Sequence, residues 1–372
     1  MLFLFSQFAL AQFQPATTYA TDESVCAGCH EGTHGVYFSE FMKTGHPYKL
    51  NAIDPTNPGP PTYPANTSPG VTQLPSDTLT WADIAYVIGG YGWKARFVKT
   101  NGYIYTDNDS AQYNLYGDES AGTKWVPYHK GEMKKYDYNC FKCHTTGPDT
   151  AGSWPAGTTG WGTFALPGIR CQGCHGPAQE HADNPNTYRP PLGINSFPSI
   201  ADSLEYTRCG DCHHRGSKTN AIPASGGFIR HHEQFNEMQA SAHRTVANLT
   251  CATCHNLHEP LRYEAAADTT KGKPIVKHCE DCHTEKVQFK LADGSVVDKP
   301  IECENCHMPD AGKSAIGMTL GNGFKGDVPT HLWKINTAAV PRDSMFTADG
   351  YVKLDANGHG AVTLDFVCLS CH

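Results

Sequence analysis

The sequence predicts a mostly irregular, loop-rich fold, with short α-helices and a few small β-hairpins wrapped around something other than its own aliphatic core. Three observations carry that expectation. The 372 residues include 36 Gly and 25 Pro, and the mean hydropathy is negative, a composition that punctuates regular elements. Hydrophobic residues make up only 39%, modest for a chain whose length would allow roughly two or three ordinary domains. One pentapeptide, Cys-x-x-Cys-His, occurs eight times and accounts for all 16 cysteines.

The first four copies carry Cys26 and Cys29, Cys140 and Cys143, Cys171 and Cys174, and Cys209 and Cys212. The last four carry Cys251 and Cys254, Cys279 and Cys282, Cys303 and Cys306, and Cys368 and Cys371. They end on His30, His144, His175, His213, His255, His283, His307 and His372. This spacing is the c-type haem attachment signature. Two thiols form thioethers to the haem vinyl groups, and the adjacent histidine supplies the proximal nitrogen to iron. A zinc site competes for the same residue types, but it closes with four ligands and does not need a histidine after every second cysteine. A disulfide framework suits the even count and leaves the histidines unexplained. The expectation is therefore eight haem c groups. With 372 residues and eight motifs there are about 46 residues for each haem, so the cofactors themselves must form much of the core.

The formal charge of −8 argues against nucleic acid, which needs a basic footprint. It suits solubility or docking to a basic redox partner. Residues 1–11, MLFLFSQFALA, form an apolar run ending in an A-x-A pattern and read as a signal peptide. The basic residues expected ahead of such a run are not among them, which leaves an upstream start open. A short buried N-terminal segment is the competing reading. Nothing else approaches the roughly 20 apolar residues of a membrane span. No cysteine precedes Cys26, and the last motif ends on His372, so neither a lipid nor a C-terminal anchor is expected. These features predict a secreted chain, periplasmic or at the cell surface.

Residues 12–80 hold the first motif, a helical pattern over 34–50 and an irregular loop over 51–80 that is rich in Pro, Asn, Thr and Gly. Residues 81–128 contain no motif and predict a small β-rich module. Its strands are expected at Ile84–Ile88, Trp93–Thr100, Tyr103–Thr106, Gln112–Tyr116 and Lys124–Val126. Asn101-Gly102 is a strong hairpin signal between the second and third of these. Residues 129–310 form a six-haem core whose motifs follow at intervals of 24 to 42 residues, short enough to make consecutive haems neighbours. Residues 311–372 form a C-terminal segment with the last haem, with turns at Asp349-Gly350 and Asn357-Gly358. A further turn is expected at Asp293-Gly294.

The sixth position on each iron separates an electron carrier from a catalyst. Of 20 histidines, twelve lie outside the motifs, enough to give every haem a second histidine. Local context favours His46, His129, His181, His231, His232, His243, His258 and His331 as distal ligands. His258 lies three residues after His255 and suits a neighbouring haem. His243 ends a helical pattern, FNEMQASAH, and the adjacent His231 and His232 point in different directions. His34, His214, His278 and His359 are reserves for hydrogen bonding or exposure. Arg170, Arg189, Arg208, Arg215, Arg230 and Lys277 lie near motifs, where they can neutralise haem propionates. No nucleotide loop, G-x-S-x-G or HExxH occurs, so no separate catalytic constellation is expected.

FMKTGHPYKL, VIGGYGWKARFV, YHKGEMKKYDYNCFKCHTTG, CQGCHGPAQEH, GFIRHHEQFNEMQASAH, CATCHNLHEP and GDVPTHLWKI together resemble multihaem c-type cytochromes of respiratory electron transfer. These are found in bacteria that reduce metals or other extracellular acceptors. The resemblance implies that His46, His129, His181, His243, His258 and His331 are distal ligands. It also implies redox proteins or an extracellular acceptor as partners, and it allows a homopolymer whose haems continue between subunits. Octahaem enzymes acting on hydroxylamine, nitrite or tetrathionate are the rival branch. One group of these replaces a proximal histidine by lysine, and no CxxCK occurs here.

Overall fold

The computed structural model describes residues 14–31, 37–191, 209–215, 221–267, 273–284, 302–320 and 323–368. His34, His372, Cys371 and the Asp293-Gly294 turn lie outside them. The described α-helices run from four to seven residues, and none is long and apolar enough to cross a membrane. The chain is irregular, with short helices and small sheets, as its composition predicts.

The main sheet has seven strands. Its path runs from Leu50–Ala52 through Ile84–Gly89, Lys94–Lys99 and Tyr103–Ile104 to Lys134–Lys135. Gln112–Asn114 pairs with Lys94–Lys99, and Trp125–Val126 pairs with Gln112–Asn114. All pairings are antiparallel, with Val87 opposite Phe97 and Tyr86 opposite Val98. The sheet reaches beyond residues 81–128 on both sides. Asn101-Gly102 turns the chain as its sequence predicts. Gly102 has φ +85° and passes so close to Pro155 and Trp161 that a Cβ would stand 2.4 Å from the proline ring. Only glycine suits both demands.

Successive strand residues face opposite ways, and that alternation makes two cores. Ala95 and Phe97 join Ile84, Val87 and Tyr105 on one face. Val98, Ile104 and Leu50 face the other way and pack on Tyr136 and Phe141. Phe141 is fully buried and belongs to the second motif, so the sheet holds that motif by a side chain inside the pentapeptide. Burial of a ring of this size stabilises by about 1.5–3 kcal/mol. A third core joins Ile222 and Ile229 to the C-terminal residues Leu332, Val362 and Phe366. The Asp349-Gly350 and Asn357-Gly358 turns close tight loops there. The Thr347 N–H donates to the Tyr351 carbonyl at 2.8 Å and the Asp355 N–H to that of His359 at 2.9 Å.

Two helical patterns are shorter than their spacing suggests. Within 34–50 the described helix is Tyr37–Phe41, and Pro47 opens a separate 3-10 turn, Pro47–Lys49. FNEMQASAH splits into Gln234–Gln239 and Ala242–Thr245. Ser241 is extended between them and its hydroxyl donates to the Met238 carbonyl at 2.8 Å, competing with the helix for a backbone partner.

Candidate haem-binding sites

Each described motif is built on about one helical turn. The helices are Ser24–His30, Tyr138–His144, Cys171–His175, Cys251–Cys254 and Cys303–His307, with a 3-10 turn at Cys279–Asp281. On a helix, residues i, i+3 and i+4 share a face. Both sulfurs and the imidazole of a motif therefore turn toward one side. Asp137 caps the second motif's helix, its carboxylate accepting from the Asn139 N–H at 3.0 Å.

Among the described residues no disulfide joins two cysteines. The second cysteine of a motif tends to be the more open one. Cys29, Cys174 and Cys282 are exposed, while Cys26, Cys171 and Cys279, their partners within each motif, are half-buried. Cys303 and Cys306 are both half-buried, and Cys306 packs against the C-terminal core. Cys140 is half-buried too, and burial pushes its thiol up to about 11. Cys368 is exposed. An accessible sulfur beside a buried one suits attachment to a group that lies against the motif from outside its own turn.

The histidines outside the motifs supply a direct test of fit. A metal–imidazole bond is about 2.0 Å, and a ring nitrogen lies about 1.1–1.2 Å from the ring centre. Two imidazoles in line across one ion thus stand roughly 6.3 Å apart. His30 and His181 stand 6.5 Å apart, His175 and His258 6.2 Å, His255 and His331 6.2 Å, and His283 and His243 6.0 Å. His213 has two such neighbours, His232 at 6.0 Å and His46 at 6.2 Å. These separations are too long for a direct hydrogen bond between the rings and suit an iron between them.

The ring nitrogens not needed for iron have partners that orient them. The His307 Nδ1–H donates to the Trp333 carbonyl at 2.7 Å and the His181 Nδ1–H to the Tyr188 carbonyl at 3.0 Å. His144 Nδ1 meets the Tyr136 hydroxyl at 3.3 Å, and His213 Nδ1 meets Gln234 Oε1 at 3.4 Å. Burial is the main cause of lowered basicity at five of the histidines. It holds His46, His144 and His331 down at about 3, and His213 and His258 at about 4. Neutral imidazole is the ligating form, so the sites favour it at neutral pH.

Two other predicted residues have different surroundings. His231 Nε2 lies 2.6 Å from an Arg215 guanidinium nitrogen, while the rings of His231 and His232 are turned 77° from each other. His232 takes φ +70°, and this separates the two directions. His129 is exposed at φ +47°, with Nδ1 2.7 Å from Glu132. Of the reserves, His359 Nε2 meets the Thr245 hydroxyl at 2.8 Å.

Contacts between motifs order the sites. The Cys26 thiol is lowered chiefly by a hydrogen bond with Cys171. Cys143 is lowered to about 7, chiefly by a hydrogen bond with Cys212, and these two sulfurs lie 3.7 and 3.6 Å from the Asp211 and Lys142 carbonyl oxygens. Cys209 and Cys251 are hydrogen-bonded through their thiols. Cys279 and Cys303 each reach a glutamate of the other's motif, at 3.7 Å. The first motif thus lies beside the third and the second beside the fourth, so chain order and spatial order differ. Lys49, Arg96, Tyr136, Gln234 and Trp333 join the sites; all five lie within the segments that carry the resemblance but outside the Cys-x-x-Cys-His pentapeptides.

The fold is that of multihaem c-type cytochromes, and the motifs carry the c-type haem attachment signature. No family profile matches the chain. The chain is 21% identical over 147 residues to the multihaem cytochrome MtrA of Shewanella baltica, a match covering 39% of this chain and 36% of that protein. It therefore spans about a third of that relative's length. Among solved structures it is similar to the octahaem sulfite reductase MccA of Wolinella succinogenes, with a TM-score of 0.56 at 14% identity over 96% of this chain and 67% of that one. The outer cell wall cytochrome OcwA gives a TM-score of 0.50 at 18% identity, over 95% of this chain and 83% of that one.

Proposed function

We propose that this protein is a secreted electron carrier with eight covalently attached haems, passing respiratory electrons toward an extracellular acceptor. Haem c, when bound, supplies a one-electron couple at each site. The chain's part is to clamp each iron between two histidines, fix the imidazole planes through their second nitrogens and exclude water. The observation that carries the reading is the set of histidine pairs at 6.0 to 6.5 Å, the separation a bis-histidine iron needs. The sixteen ligands in this reading are the eight motif histidines with His46, His129, His181, His231, His232, His243, His258 and His331. The acidic net charge suits docking to a basic redox partner. Spectroscopy of the oxidised holoprotein tests this. Uniformly low-spin haem is expected, and a substantial high-spin, ligand-exchangeable population sinks the reading. Polymerisation with haem contacts between subunits extends the proposal, and sedimentation with electron microscopy at high concentration tests it.

A second reading, an oxidoreductase with one open haem, is favoured by one observation. Burial chiefly lowers the basicity of His144, the cations Lys49, Arg96 and Arg215 lower it further, and among the described residues no histidine ring is paired with it. That electrostatic setting suits a small anion. Turnover with nitrite, hydroxylamine or tetrathionate, together with an anion-dependent spectral change, would support it.

A further inference from the structure

Trp333 has a backbone conformation that large side chains rarely adopt. Its φ is +56°, and the Lys334 N–H donates across it to the Leu332 carbonyl at 2.7 Å, closing a tight three-residue turn of the strained hand. A bulky residue at positive φ is an outlier that persists only where its surroundings over-determine it. The surroundings do so on both sides. Upstream, Glu237 accepts from the Thr330 hydroxyl at 3.0 Å and from the His331 N–H, and Leu332 is buried in the C-terminal core. Downstream, Lys334 pairs with Asp355 at 2.7 Å, and Ile335–Asn336 is a strand alongside Val362–Thr363.

The turn carries the indole between two rings. Its centre is 4.5 Å from that of His243 and 5.4 Å from that of His331, and the ring packs against Phe235 and Met238. His331 stands opposite His255 of the fifth motif, and His243 opposite His283 of the sixth. The carbonyl of the same residue accepts from His307 of the seventh motif at 2.7 Å. One residue therefore touches a histidine at each of three consecutive sites, two through its side chain and one through its backbone.

We propose that Trp333 is a positioning residue that sets the imidazole planes of His243 and His331 through its indole and that of His307 through its carbonyl. This rests on the bis-histidine reading above. A backbone contact survives side-chain replacement, so the three sites must respond unequally. In oxidised Trp333→Ala holoprotein, the low-spin resonances and midpoint potentials of the fifth and sixth sites shift while the seventh stays as in the parent. Trp333→Phe retains a ring and shifts them less. The variants His331→Ala and His243→Ala, each losing one low-spin signal, assign the resonances. Unchanged fifth and sixth sites in Trp333→Ala, or equal shifts at all three, overturn the proposal while the histidine variants still behave as ligand losses. If neither histidine variant loses a signal, the ligand assignment fails and the role of Trp333 falls with it.

Discussion

His258 illustrates how a single side chain can lie against a motif other than the one beside it. It follows His255 by three residues, yet its ring stands 6.2 Å from His175, nearly parallel at 8°, with Phe41 against its edge at 6.3 Å. A ligand three residues from a proximal histidine cannot easily reach round to the opposite side of the same iron, so in the proposed bis-histidine reading His258 would serve a neighbouring site. His258→Ala is expected to convert one haem, at the third motif, from low-spin to high-spin and leave the others. Magnetic circular dichroism of the oxidised protein measures this, and an unchanged low-spin count counts against the pairing. His46 and His232 share His213 at similar distances, and the same measurement on each single variant shows which one serves that site.

At the scale of elements, the motif helices are too short to be stable alone, since isolated helices below about 12–15 residues are marginal in water. Each is held by tertiary contacts. Gln172, inside the third motif, is 2% exposed. Its carbonyl accepts from the Ala20 N–H at 2.8 Å and the Ala178 N–H at 3.0 Å, and its amide donates to the Ala20 carbonyl at 3.0 Å. Gln172→Ala strands buried backbone groups, which cost about 1–3 kcal/mol each when left unsatisfied. Thermal unfolding of the holoprotein is expected to show a clear loss of stability, whereas a change within error would mean that this amide does not tie the N-terminal segment to the motif.

For the whole molecule, the protein-only cores are unequally distributed. The seven-stranded sheet has packed residues on both faces, and the C-terminal cluster has its own. Motifs four and five flank the small cluster of Phe235 and Met238. Limited proteolysis of protein made without haem attachment is expected to spare a fragment around residues 50–136 and cleave the motif-bearing segments. Equal resistance along the chain would mean that the cofactors are not a major part of its core. The sheet's legibility has the same cause. Ile84–Gly89, Lys94–Lys99 and the Asn101-Gly102 turn follow from β-branched alternation and local turn chemistry, both of which act between near neighbours.

What the sequence determined by itself was the cofactor chemistry and the loop-rich architecture, because Cys-x-x-Cys-His and the content of Gly and Pro are local properties of the chain. It also pointed to a histidine surplus large enough for second ligands. Only the tertiary structure decided which histidine rings lie near each other, that the first motif lies beside the third and the second beside the fourth, and that Trp333 touches His243, His331 and His307. Those pairings depend on how loops return across the molecule, and residues as distant in sequence as His30 and His181 meet only when the long-range packing is in place.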